Sequence, residues 1–458
     1  MIKTMVSILL IFFINACYGK SPILQQYINV ALENNLSLKQ QEFSYQKSIA
    51  ALKEARGLFL PSVNINARYS RAGGGRIIEF PVGDMMNPVY QSLNALLQQP
   101  RFPVDIENEQ IPFLREEEQE TKISAVQPLF HPTIYYNYKI KKKVSEIEKT
   151  TKDKFVRQLV AEVKIAYFNY LKTVKVVQIL QKTEIILKEN LRVSEKLFEN
   201  SKATKEVVYR ARAELSKLEQ NKTEVEKNKN LAAAYFNFLL NRSLNEPIEV
   251  AGAESFPPQP APDLTETESL ALKNREELKQ MELAIAAAKN GIKLSKAAFL
   301  PNVFAAFDYG FQGEEYSFTG DDDFWMASAV FKWNLFNGFQ DKAKTQQASL
   351  EKKKYEAQLA EIKKQIQLQA REAYYNLTVA GKSIISAEDR LNSARKSFEI
   401  INKKYRQGMS PHIEYLDARN TLTGAEINRI LTTFDYYIRN AELEKVTAVY
   451  PRGRKLNH

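Results

Sequence analysis

The sequence predicts a mixed α and β protein, duplicated internally, in which very long helices packed as coiled coils carry a few amphipathic strands. Three observations predict it. Short motifs recur at fixed offsets, one stretch from Tyr135 to Asn200 runs without proline or glycine and has a counterpart of similar length, and a few short segments alternate apolar and polar residues with a period of two.

Composition narrows the alternatives. Of 458 residues 44% are apolar and 11% aromatic, enough to bury a sizeable core, which excludes a disordered chain. Charged residues make up 26%, and no apolar run of ~20 residues follows the first twenty positions, which excludes a polytopic helical membrane protein. One cysteine and three histidines exclude a disulfide scaffold and a zinc finger. Met1–Ile14 places Lys3 before the apolar stretch Val6–Ile14, and the small residues Ala16 and Gly19 follow, so 1–19 reads as a signal peptide. Ile14-Asn15-Ala16-Cys17 resembles the lipobox of bacterial lipoproteins, so a lipoprotein signal ending before Cys17, with that residue acylated, is the alternative to cleavage after Gly19. The net charge of +11 would suggest nucleic acid in a cytoplasmic protein, but export argues against it.

The duplication sets the domain organisation. Phe59-Leu60-Pro61 returns as Phe299-Leu300-Pro301 at an offset of 301 − 61 = 240, as does Ala31-Leu32-Glu33-Asn34 in Ala271-Leu272-Lys273-Asn274. Leu129-Phe130 returns as Leu335-Phe336 at 206, and Ala166-Tyr167-Phe168-Asn169 as Ala373-Tyr374-Tyr375-Asn376 at 207. The first copy therefore carries 240 − 206 = 34 extra residues between these motifs. The expected organisation is a first repeat over 21–241, a Pro-rich linker over 242–262, a second repeat over 263–450 and a short basic tail over 451–458.

Each copy reads as helix, two strands, long helix, helix. Ile23–Arg56 is rich in Ala, Leu, Lys and Gln, good helix formers, and Pro61 ends it. Val63, Ile65, Ala67 and Tyr69 then alternate with Asn64, Asn66, Arg68 and Ser70, the pattern of a strand with one apolar face. In the second copy Trp325, Ala327, Ala329, Phe331, Trp333 and Leu335 form such a face. Tyr135–Asn200 and Asp341–Gln407 read as helices of roughly 100 Å at ~1.5 Å per residue. Leu391, Ala394, Phe398, Ile401 and Tyr405 give the second a coiled-coil stripe. Thr204–Asn241 reads as a shorter helix. Strands facing lipid must close into a barrel, since unsatisfied backbone groups in hydrocarbon cost several kcal/mol each. Four strands per chain do not close, whereas three chains would supply twelve.

At these residues the sequence resembles the TolC-like outer-membrane efflux protein family, the outer-membrane factors. The doubled Phe-Leu-Pro carries the resemblance, with Leu335-Phe336-Asn337-Gly338-Phe339, Tyr405-Arg406-Gln407-Gly408-Met409-Ser410-Pro411 and Tyr415-Leu416-Asp417-Ala418-Arg419. It implies a homotrimer: a twelve-stranded β-barrel in the outer membrane continuing into a long α-helical coiled-coil barrel in the periplasm. Tyr135, Tyr136 and Tyr138, with Trp325 and Trp333, are then expected at the membrane interface. Lys139 and Lys141–Lys143 would sit just below it. The extra residues, within 71–120, form an extracellular insert, expected to fold as a lid over the pore. The turns Asn200-Ser201-Lys202-Ala203-Thr204 and Gly408-Met409-Ser410-Pro411 are the expected tips that dock a periplasmic adaptor (membrane fusion protein) or an inner-membrane pump, exchanger-type or ABC. Gly408 suits the left-handed turn position; Ser201 stands where the family often has glycine, so Asn200 is expected to take that conformation. By the same resemblance Glu399 and Asn402 line the narrowed pore aperture, and Arg395, paired with Glu206, holds it closed.

Enzyme chemistry finds no motif: there is no GxSxG, P-loop, HExxH or Rossmann glycine pattern, and the three histidines are isolated. Asp321–Asp323 reads as a solvated turn, with a divalent cation as the lesser reading. No cofactor or metal is expected. Two function classes remain. One is an outer-membrane exit duct of a tripartite efflux or type I secretion system; the other is a secreted coiled-coil scaffold without a pore. Amphipathic strands ending in tyrosine and tryptophan favour the duct.

Overall fold

The computed structural model describes residues 22–250 and 263–449, so the signal segment with Cys17, the rest of the linker and the basic tail lie outside the described residues. In chain order the elements are α1 (Pro22–Asn34), α2 (Leu36–Gly57), β1 (Ser62–Arg71), β2 (Ile77–Phe80), α3 (Val82–Leu97), β3 (Glu109–Pro112), β4 (Glu117–Phe130), α4 (Pro132–Glu199) and α5 (Lys205–Leu239). Then follow α6 (Leu264–Asn274), α7 (Glu276–Lys296), β5 (Asn302–Gly313), β6 (Asp323–Lys332), α8 (Gln340–Arg406) and α9 (His412–Thr447). They divide into two compact units: a helical one, which takes the chain to Ile49 with Lys143–Ala286 and the chain from Glu351, and one built on the sheet, Ala50–Lys142 and Ala287–Leu350.

The helical unit is held by a core from most of its helices. Tyr167 and Phe236 are fully buried, and Leu24, Ile28, Leu159, Leu171, Leu377 and Phe434 join them. Each such side chain is worth ~1.5–3 kcal/mol of apolar burial. Asn35 breaks the helix expected over Ile23–Arg56 in two. Its side-chain oxygen accepts from Leu38 N–H at 2.9 Å, capping α2, and its Nδ2 donates to Leu239 C=O at 2.9 Å. Residues 242–250 are tied to this core: Ile248 is buried in it, Tyr167 donates to Glu249 C=O at 2.9 Å, and Asn237 Nδ2 donates to Leu244 and Glu246 C=O.

In the other unit β1, β4, β5 and β6 form one antiparallel sheet in the order β1-β4-β5-β6, while β2 and β3 pair only with each other. The insert is thus a folded element, a two-stranded ribbon and the helix α3, and it supplies two strands the sequence reading did not anticipate. Gly310 lets β5 approach β4 closely: a Cβ there would strike Thr121 C=O and Lys122. No helix among the described residues is long and apolar enough to cross a membrane.

Candidate functional site

The sheet separates apolar from charged residues across its two faces. Strand register puts Val63, Ile65, Ala67 and Tyr69 of β1 beside Ala125, Ile123, Thr121 and Gln119 of β4. Phe307, Tyr309 and Phe311 of β5 continue that face, as do Ala327 and Trp325 of β6. Most of these side chains are exposed although apolar, with Ile65 73% accessible and Trp325 70%; Gln119 is buried, and Thr121, Ala125 and Phe311 are half-buried. The opposite face carries the charged residues, with Met326 and Val330 of β6 also exposed on it. Arg68 lies 3.6 and 3.8 Å from Glu118 and Glu120, Lys122 2.7 Å from Glu120 and 3.9 Å from Asp308, and Gln312 donates to Glu118 at 2.9 Å. A soluble sheet buries its apolar face and wets the other; here the apolar face is left uncovered. Both outer strands also lack a second partner, since β1 pairs only with β4 and β6 only with β5 among the described residues. An open strand of ten residues at each edge is a template for another chain.

Of the expected interface aromatics, Tyr135, Tyr136, Tyr138 and Trp333 lie at the helix-side end of this sheet, whereas Trp325 lies at the opposite end, two residues after β6 begins at Asp323. Tyr135, 46% exposed, packs edge-to-face on Tyr136 and carries Lys139 over its ring at 5.3 Å. Tyr138 meets Phe59 edge-to-face at 5.9 Å. Trp325 is on β6, but Trp333 is not: the strand ends at Lys332, and Trp333 Nε1 donates to Phe299 C=O at 3.0 Å, so its exposed ring is held by the chain preceding β5. At the other end, Asp322 is held within its own turn by Ser317 Oγ, and no carboxylate or histidine group there or elsewhere among the described residues is arranged to hold a metal ion.

The two turns of the helical unit share one geometry. Lys202 N–H donates to Leu197 C=O at 2.8 Å and Ser201 N–H to Phe198 C=O at 2.9 Å. Met409 N–H donates to Lys404 C=O at 2.9 Å and Gly408 N–H to Tyr405 C=O at 3.0 Å. Both are Schellman closures, which require a left-handed residue after the helix. Gly408 supplies it with φ 74° and, against expectation, Ser201 itself does so with φ 58°. Asn200 instead remains helical enough to donate its Nδ2 to Lys196 C=O at 2.7 Å. Lys202 and Thr204 are exposed and Ala203 half-buried; Met409 and Pro411 are exposed, and Ser410 is buried with its hydroxyl donating to Glu414 at 2.6 Å.

Behind these turns α4, α5, α8 and α9 pack through Val176, Leu180, Leu187, Leu218, Tyr415 and Leu416, with Phe398 and Tyr405 against them. The apolar stripe read from the sequence therefore faces the core, and the charged stripe faces outward. Arg395 and Glu399 are exposed and Asn402 half-buried. Glu388 pairs with Arg429, and Glu206 is taken by Arg210 at 2.7 Å on its own helix, so within the chain Arg395 and Glu206 are not brought together.

Two buried polar groups escaped the sequence reading. His412 is 8% exposed; its Nε2 donates to Asn190 Oδ1 at 3.0 Å, which leaves Nδ1 as an unprotonated acceptor, buried without a partner. Burial, and next the Arg210 charge, hold its pKa below the usual histidine value. Arg157, 2% exposed, donates to Glu276 at 2.7 Å, to both oxygens of Glu277 at 3.1 Å and to Lys445 C=O. Glu277 also accepts a bidentate pair from Arg275 at 2.9 Å. Its burial alone would raise its pKa, but the Arg275 hydrogen bonds and the charges of Arg157 and Arg275 outweigh that and lower it to about 2. No local motif marks either site, because the partners lie 119 to 288 residues apart in sequence.

A sheet apolar on one face, charged on the other and open at both edges, joined to helices of 68 and 67 residues, defines the fold of the TolC-like outer-membrane channels. Residues 268–449 match the family described as outer membrane efflux protein. The chain is similar in structure to a membrane protein from Pseudomonas aeruginosa, with a TM-score of 0.77 and 16% identity over 93% of this chain and 94% of that one. It is similar to the Campylobacter jejuni CmeC outer membrane channel, at 0.75 and 16% over 93% and 85%, and to the open state of the Neisseria gonorrhoeae MtrE outer membrane channel, at 0.75 and 17% over 93% and 89%. No curated protein is matched by the chain. The chain thus has the fold of these channels, and its residues 268–449 match the outer membrane efflux protein family.

Proposed function

We propose that three copies of this chain form an outer-membrane exit duct, a passive conduit of a tripartite efflux or type I secretion system, with a twelve-stranded barrel in the lipid and the helical barrel in the periplasm. The observation that carries this is the sheet: four strands, apolar side chains uncovered on one face, charges on the other, and two open edges. Joining β1 of one copy to β6 of the next satisfies both edges, puts the apolar face to lipid and the Arg68, Glu118, Glu120, Lys122 and Asp308 face to water. The tips around Ser201 and Gly408 then dock the adaptor or the pump, and the exposed Glu399, with Asn402, lines the aperture. Arg395 reaches Glu206 of the neighbouring copy in exchange for the Arg210 contact.

The test is extraction and conductance. The full chain should leave the outer-membrane fraction only with detergent and give discrete conductance steps in planar bilayers. A water-soluble monomer without conductance is the outcome of the scaffold reading and overturns this one.

A further inference from the structure

The four places where the chain passes between helix and sheet are rich in cations. Across 50–61, 131–142, 287–301 and 333–350 ten lysines and arginines stand against two carboxylates, Glu54 and Asp341. Asp341 is buried and accepts from Asn334 at 3.4 Å, so it does not neutralise the surface. Lys53, Arg56, Lys289, Lys296, Lys342 and Lys344 are all exposed, and none of them forms an ion pair among the described residues. Contacts bring these segments together: Lys293 Nζ lies 6.0 Å over the Tyr136 ring, and Phe59 packs on Tyr138. Exposed apolar side chains are interleaved with the cations, among them Leu60, Leu300, Leu335, Phe336 and Phe339, between 44 and 78% accessible. The other end of the same strands is acidic, with Glu116–Glu118, Glu314, Glu315 and Asp321–Asp323.

We propose that this end of the sheet is a cationic collar that binds the phosphate headgroups of anionic phospholipids. The inference rests on the outer-membrane reading above. Charge complementarity selects the occupant: cations in surplus, next to large apolar side chains, suit a surface that offers phosphate beside hydrocarbon. A repeating anionic polymer would match the charge but not the apolar residues mixed into it. In the assembled trimer the collar is repeated three times around the barrel, directly below the apolar face, and it fixes the depth at which the strands sit. The acidic opposite end keeps the orientation unique.

The test compares the full-length wild type with a variant carrying K289Q, K296Q, K342Q and K344Q, in detergent micelles titrated with phosphatidylglycerol or phosphatidylcholine and read by native mass spectrometry. A cation near an anionic surface contributes about 1 kcal/mol, roughly five-fold in affinity. The wild type should retain phosphatidylglycerol over phosphatidylcholine, and the variant should lose roughly five-fold per lysine removed. The matching set of Lys→Arg changes should restore the preference, which separates charge loss from misfolding. Equal retention of the two lipids, an unchanged Gln variant, or displacement of the lipid by inorganic phosphate at equal concentration overturns the proposal. So does charge-dependent cosedimentation with purified peptidoglycan in place of lipid preference. Planar-bilayer conductance is recorded on the same samples: channels without anionic-lipid preference refute the collar alone, whereas no channels and no lipid insertion refute the outer-membrane reading.

Discussion

Replacing Glu277 by Gln tests the buried charge network of the helical unit. The side chain is 15% exposed and receives Arg275 through two hydrogen bonds of 2.9 Å and Arg157 through two of 3.1 Å. A folded-state pKa of about 2, against 4.5 for the free side chain, corresponds to about 3 kcal/mol of preference for the folded state when the carboxylate is charged. The sign follows from the depression. Above pH 4.5 both states are ionised and the contribution is complete; as the pH falls from 4.5 towards 2 the unfolded state takes up the proton first and the contribution is lost. Glutamine removes it and leaves Arg157 buried with Glu276 alone, which agrees with the ~3–5 kcal/mol typical of a broken buried pair. Urea unfolding of the full chain in detergent, followed by helical circular dichroism, should show E277Q less stable by about 3 kcal/mol at pH 7, with the gap to wild type closing below pH 4.5. Fluorescence of Trp325 and Trp333, both in the sheet unit, is the control that should move less. Equal stability at pH 7, or a gap that does not change with pH, would refute the reasoning.

Other expectations follow from single residues. Ser201→Gly should stabilise by up to ~1 kcal/mol and Gly408→Ala destabilise by ~1–2, since both positions are left-handed; thermal unfolding measures each, and opposite signs would contradict the turn assignment. His412 is neutral in the folded state, packed by Asn190, Tyr405 and Tyr415 with the Arg210 charge near it. Stability present above pH ~6.5 should therefore fall as the pH drops below that value, because only the unfolded chain then gains the proton, and His412→Gln should flatten that loss. Arg395→Ala should raise single-channel conductance in planar bilayers, and an unchanged conductance removes the tie from the closed state.

Period and punctuation made much of this fold readable. The alternation from Val63 to Tyr69 is β1, and the long stretches before Asn200 and Gln407, the first free of proline and glycine, are α4 and α8, because a long helix or a two-faced strand writes its period directly into the chain. What stayed hidden depends on partners distant in sequence. Asn35 splits the first helix because Leu239, 204 residues away, accepts its amide. Ser201 takes the left-handed position because the closure of both turns fixes it there, overriding the preference for asparagine. The ribbon and helix of the insert carry short, mixed patterns that periodicity does not resolve. The candidate site divides in the same way: the positions of the two turns and the outward face of α8 were legible, whereas the left-handed Ser201, the end of β6 before Trp333 and the Arg157 and His412 contacts depend on partners that no local pattern marks.

The central claim is that one chain supplies one third of a closed barrel. Native mass spectrometry of the detergent-extracted protein counts the copies directly: the account predicts three chains per particle, lost as a unit when hydrogen bonding at the β1 and β6 edges is blocked by proline. A particle of any other stoichiometry, or a stable single chain with both edges open, would contradict it.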